Sequence, residues 1–138
     1  KGTSSGSPTH LAGEPGAGTV FITEGPLKGD LAHALSGKTF GCVPGVNQYT
    51  NLPAFLSEMK EYGTEFVYEA YDMDKLLKPI CKGIKRQNIQ RGCKKLGSIC
   101  RELSLPGKSL TWDTDVDGDW AENVKGVDDY LVSLERHK

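Results

Sequence analysis

The residues best placed to do chemistry are three carboxylates, Glu24, Asp72 and Asp74. Glu24 closes the run Val20-Phe21-Ile22-Thr23-Glu24, and Gly25-Pro26 follows it. β-Branched and aromatic residues in a short continuous run predict a buried strand, and Gly-Pro must end it. Glu24 therefore stands at the carboxyl end of a strand, the edge at which open α/β sheets bind ligands. Asp72 and Asp74 follow a second apolar run, Phe66-Val67-Tyr68-Glu69-Ala70. Alternate side chains of an extended chain point the same way, so these two aspartates can face one rim. If the two strands are parallel neighbours, Glu24 joins them there. Mg²⁺ takes oxygen ligands, usually one or two carboxylates with water and substrate phosphates. Two such ions about 3.5–4 Å apart can clamp the attacking and leaving oxygens of a phosphoryl transfer. The plain structural alternative for Asp72 and Asp74 is turn formation and helix capping, which Asp does well.

The elements that must position these groups alternate. Leu27–Leu35 reads as a helix with Leu27, Leu31, Ala34 and Leu35 as its apolar face, Asp30 in its first turn and Gly37 as its stop. Thr39–Val43 is a second strand, ended by Pro44-Gly45. Leu52–Tyr62 is a second helix with Pro53 in its first turn, an inner face of Leu52, Phe55, Leu56 and Met59, and Gly63 as its C-cap. Phe66–Tyr71 is the third strand. A long helical region spans about 75–103, with a break expected near Gly92. Ser109–Trp112 is a fourth strand, and a last helix runs from near Val127 to near Leu134. This order predicts an α/β fold, a small, mainly parallel four-stranded sheet with helices on both faces. Residues 1–19, rich in Gly, Ser, Pro and Thr, read as a loop or lead-in, and residues 20–138 as one domain.

Composition sets broad limits. The chain has 138 residues, 37% hydrophobic and 25% charged, with a net charge of −1, which suits one ordinary globular domain. No apolar run is long enough for a membrane span. The chain opens with Lys1 inside a Gly/Ser-rich stretch, so it reads as a piece of a longer protein. The four cysteines, Cys42, Cys81, Cys93 and Cys100, form no C-x-x-C pair. The expectation is reduced, mostly buried thiols in a cytoplasmic protein.

Five blocks, taken in order, resemble the Toprim domain of primases, topoisomerases and some nucleases. They are Gly2 to His10, Thr23-Glu24-Gly25-Pro26-Leu27-Lys28, Pro44 to Tyr49, Tyr71-Asp72-Met73-Asp74-Lys75 and Lys125-Gly126-Val127-Asp128-Asp129-Tyr130-Leu131. The layout is most similar to a Toprim-like subgroup of uncharacterised function in plasmid and phage replication proteins of the primase type. The resemblance implies Mg²⁺, for which Mn²⁺ can substitute. It implies Glu24 as metal ligand or general acid/base, and Asp72 and Asp74 as metal ligands. It also implies DNA or RNA and nucleotides as partners, alongside other domains of the longer protein. Ser5, in a run that can offer hydroxyls and N–H groups to a phosphate, joins His10, Lys125, Asp128 and Asp129 as residues that line the site.

Three readings stay open: a primase-like nucleotidyltransferase module in DNA replication, a Toprim-type nuclease, and a binding module without chemistry. The last draws on a basic stretch, Lys82, Lys85, Arg86, Arg91, Lys94, Lys95 and Arg101, which contains no acid. On a helix with Ile84, Ile89, Cys93, Leu96, Cys100 and Leu103 turned inward, these cations form one outer face, a footprint for nucleic-acid phosphates. An ordinary solvated face is the alternative. Lys28 and Lys75, beside the carboxylates, are phosphate contacts or surface lysines. The acidic loop Asp113–Gly118 imitates the opening of a calcium loop, but its twelfth position is Val124 rather than a carboxylate. His33 and His137 have no nucleophile pattern around them.

Overall fold

The computed structural model describes residues 9–45, 50–71 and 79–110, with Gly126, Val127 and Leu131; along 79–88 it describes the backbone alone. The element order is β1 (His10–Ala12), β2 (Thr19–Glu24), α1 (Pro26–Ser36), β3 (Thr39–Val43), α2 (Leu52–Tyr62), β4 (Phe66–Glu69), α3 (Pro79–Glu102) and β5 (Gly107–Ser109). The strands form one five-stranded sheet in the order β1-β3-β2-β4-β5. β3, β2, β4 and β5 run parallel, while β1 lies antiparallel to β3.

The α/β class, the parallel core and the helices on both faces match the sequence pattern, but the strand count does not. The fifth strand, β1, falls in the stretch expected to be loop. It holds only three residues, and its pairing of Leu11 with Gly41 supplies a backbone partner at the sheet edge. So short a strand, bounded by Gly13, has too little pattern to announce itself. The expected strand Ser109–Trp112 begins earlier, with β5 at Gly107–Ser109, because Val67 N–H bonds the Pro106 carbonyl at 3.0 Å and starts the pairing there; Thr111 and Trp112 lie outside the described residues. α3 runs unbroken past Gly92.

Two apolar layers cover the sheet. On one face Val20, Ile22, Val43 and Val67 pack with Leu52, Leu56 and Met59 of α2 and with Ile89, Leu96, Ile99 and Cys100 of α3. On the other, Phe21 stacks between Phe40 and Tyr68, with ring centroids 5.3 and 5.0 Å away, beside Ala12, Ala32, Cys42 and Val127.

α1 corrects its expected face. Gly29 and Ala32 are buried, whereas Leu27 is 84% exposed and Leu31 42% exposed. The reason is distance: α1 lies so close to β3 that a Cβ on Gly29 would collide with Cys42 Sγ. Only small residues can face the sheet at that separation, so the leucines turn outward. α1 starts at Pro26, which leaves Asp30 beyond its first turn. On α2 the inner face is as expected, with Phe55 partly buried.

Gly29→Ala should cost about 1–3 kcal/mol, the usual cost of an overpacked core, and Cys42→Ala in the same chain should recover part of that loss. A double-mutant cycle by chemical denaturation measures the coupling; strict additivity would contradict the contact. Burial, and after it the charge of Asp30, pushes the Cys42 thiol from its ordinary 9.0 up to about 12. Between those values the unfolded chain releases a proton that the folded chain keeps, so stability falls as pH rises through this range. Thermal melts across the alkaline range should show a shallower decline for Cys42→Ala than for the parent.

Candidate functional site

Glu24 ends the central strand of the sheet, and it is half-buried. β2 and β4 are parallel neighbours, with Ile22 beside Glu69. The Ala70 N–H donates to the Ile22 carbonyl at 2.8 Å, which extends the pairing one residue further. The chain that leaves β4 through Tyr71 therefore emerges next to the Thr23–Glu24 end. Asp72, Asp74 and Lys75 follow, outside the described residues, as do Ser5, Lys125, Asp128 and Asp129.

The turn out of β2 is set by Gly25. Its N–H donates to the Val43 carbonyl at 2.8 Å, and its φ of +95° lets the chain reverse into α1, a conformation that disfavours any other residue. α1 has Pro in its first turn, no side-chain cap and no acid there. Its positive end thus opens beside Glu24, with Lys28 in the first turn, an arrangement that attracts anions.

Two groups missed by sequence reasoning stand at this rim. Glu69, 8% exposed, is a carboxylate inside the core. Its Oε2 accepts the Tyr71 N–H at 2.8 Å and its Oε1 accepts the Ser109 hydroxyl at 2.5 Å. The carboxylate thereby pins the exit of β4 and ties β5 to it. Tyr71 is wholly buried, and among the described residues its hydroxyl has no hydrogen-bond partner. Burial, then the nearby Cys93, Glu69 and Glu24, pushes its ionisation well above the ordinary tyrosine range. The neutral hydroxyl thus lies within electrostatic reach of both carboxylates. An acid inside an apolar strand was the available signal for Glu69; its partner Ser109, forty residues away, was not readable.

His10, on β1, stands beside Cys42 of β3, whose other neighbour is Thr23 of β2, so it lies two strands from Glu24 at the same end of the sheet. Its Nε2 lies 2.8 Å from Asp30 Oδ1 on α1, an exposed contact that joins β1 to α1. On α3, Arg91, Lys94, Lys95 and Arg101 are exposed, as a basic outer face requires, while Ile89, Leu96, Ile99 and Cys100 are buried. Lys82, Lys85 and Arg86 fall on the same helix. Among the described residues Cys42, Cys93 and Cys100 form no disulfide.

Among the described residues no three His, Cys, Asp or Glu side chains gather as a metal group. What the rim offers is chemically suited to a hard cation: a half-buried carboxylate oxygen and, nearby, an orphaned hydroxyl able to bond a metal-bound water. Among the described residues no helix is long and apolar enough to cross a membrane. Comparison with protein-family models, curated proteins and solved structures found no match.

A buried hydroxyl without a partner costs roughly 1–3 kcal/mol. Tyr71→Phe should therefore stabilise the protein by about 1 kcal/mol in chelator, and should reduce the rise in melting temperature that Mn²⁺ produces. Equal melting temperatures for parent and variant in both conditions would remove Tyr71 from the site.

Proposed function

We propose that this domain is a divalent-metal-dependent, Toprim-like module of a primase-type DNA replication protein, acting in nucleotidyl or phosphoryl transfer on nucleic acid. The observation that carries the reading is the parallel pairing of β2 with β4. It sets Glu24 beside the chain that leads through Tyr71 into Asp72-Met73-Asp74. The uncapped start of α1 at the same rim supports it, since phosphate oxygens favour that position.

In this reading Glu24, Asp72 and Asp74 hold Mg²⁺, or Mn²⁺ in its place. Glu24 also takes a proton from the attacking hydroxyl or returns one to the leaving oxygen. The bound cation supplies charge to the phosphoryl oxygens as they build up negative character. Glu69 keeps the Asp-bearing chain in place through Tyr71 N–H, and the first turn of α1 with Lys28 orients a phosphate. The exposed cations Arg91, Lys94 and Lys95 favour a second reading, a nucleic-acid-binding module without chemistry, in which the strand lies along α3.

The two separate in one experiment. Thermal melts with Mn²⁺ should show stabilisation that grows with concentration, about 2.7 kcal/mol at a hundredfold excess over Kd. Glu24→Gln, Asp72→Asn and Asp74→Asn should each abolish most of it. If Mn²⁺ leaves the melt unchanged while single-stranded DNA binds with a steep salt dependence, the binding module is the correct reading.

A further inference from the structure

The sheet ends at β5, which pairs with β4 on one side and, among the described residues, with no strand on the other. Val67 N–H donates to the Pro106 carbonyl at 3.0 Å, and Leu110 N–H to the Glu69 carbonyl at 2.8 Å. Main-chain groups along a strand face its two edges in turn. Those of Gly107 and Ser109 therefore point away from β4. Gly107, Lys108 and Ser109 are all exposed. Beside this open edge, between α3 and β4–β5, lies a groove of about 770 Å³. Val67, Leu96, Cys100 and Leu105 make part of it apolar, and Lys94, Arg101 and Lys108 stand around it. These three cations are exposed, and among the described residues none forms a salt bridge. The groove carboxylate, Glu69, already has both oxygens bonded, one to Tyr71 N–H and one to the Ser109 hydroxyl.

We propose that an extended acidic peptide segment of a partner protein adds to the sheet along β5 and seats apolar side chains in the groove. An exposed edge takes a further strand through main-chain hydrogen bonds, and pockets beside it receive that strand's alternate side chains. The outward N–H and C=O groups of Gly107 and Ser109 supply the bonds, and the groove supplies the pocket. Charge then selects the strand. Three cations without a counter-charge favour carboxylate side chains and repel basic ones. A second copy of this chain brings the same cations to the same edge, and a lysine on a short outer strand works against such self-pairing. Nucleic acid meets the cations but has no main chain to match Gly107 and Ser109. The surface involves none of Glu24, Asp72 and Asp74, so it goes beyond the metal-centred reading and holds or fails separately from it.

The probe is a fluorescein-labelled peptide, Glu-Glu-Val-Val-Glu-Glu-Val-Val, titrated into the whole chain in EDTA and followed by fluorescence anisotropy. Its sequence puts both residue types on each face of an extended strand. Binding should saturate, and the same peptide with lysine for glutamate should not bind. Methylating every backbone nitrogen keeps the side chains but removes the donors, and should weaken binding by about tenfold or more. Lys94→Glu combined with Arg101→Glu alters exposed side chains, with the fold checked by a parallel melt, and should weaken it by a similar factor. Hydrogen exchange should show the amides of Gly107 and Ser109 gaining protection when the peptide binds. Absence of saturable binding overturns the proposal. Equal affinity of the methylated peptide overturns it too, since charge alone would then explain the contact. Protection that misses Gly107 and Ser109 removes the edge from the site. Three further results give the edge to another occupant and overturn the assignment in the same way. One is a dimer of the chain alone in which these two amides are protected. Another is their protection by oligothymidylate. The last is peptide binding that appears only after Asp113, Asp115, Asp117 and Asp119 are changed to Asn, which would assign the groove to the chain's own acidic stretch.

Discussion

Parallel hydrogen bonding of β2 to strands on both of its sides is the constraint from which this fold follows. A parallel pair cannot be closed by a tight hairpin, so each link must cross a face of the sheet and return. α1 makes that crossing between β2 and β3 on one face, and α2 and α3 cover the other. Both faces of β2 are thereby buried, and polar chemistry is driven to the strand ends. Glu24 occupies the carboxyl end of the middle strand, with β3 and β4 to either side.

Glu69 shows the same constraint from inside. A carboxylate in a covered strand survives only when its oxygens are matched, and here a backbone N–H and a hydroxyl match them. The match has a mechanical result. The exit of β4 and the outer strand β5 are linked through one side chain, next to a tyrosine hydroxyl that is buried and, among the described residues, without a partner.

Most of this architecture was legible in the sequence where residues report on their own neighbourhood. Val20–Glu24 stopped by Gly-Pro, Thr39–Val43 stopped by Pro-Gly, and Leu52–Tyr62 with its proline start all carry their boundaries locally. What failed depends on partners distant in the chain. β1 exists because β3 offers it an edge. α1 turns its leucines outward because Gly29 meets Cys42, a contact that no helical periodicity encodes. The same division runs through the candidate site. Glu24 was visible as a strand-end acid. Glu69 was not, because its meaning comes from Ser109, and the use of Tyr71 comes from burial under α3. The contact of His10 with Asp30, twenty residues away, was equally unreadable.

The fit of α1 against β3 has one more consequence. Cys42 has no exposed surface, and its sulfur is roofed by a residue with no side chain of its own. A reagent reaches that thiol only when the helix lifts or the sheet edge parts. The rate of its alkylation therefore acts as a clock for local opening at the very helix whose first turn adjoins Glu24.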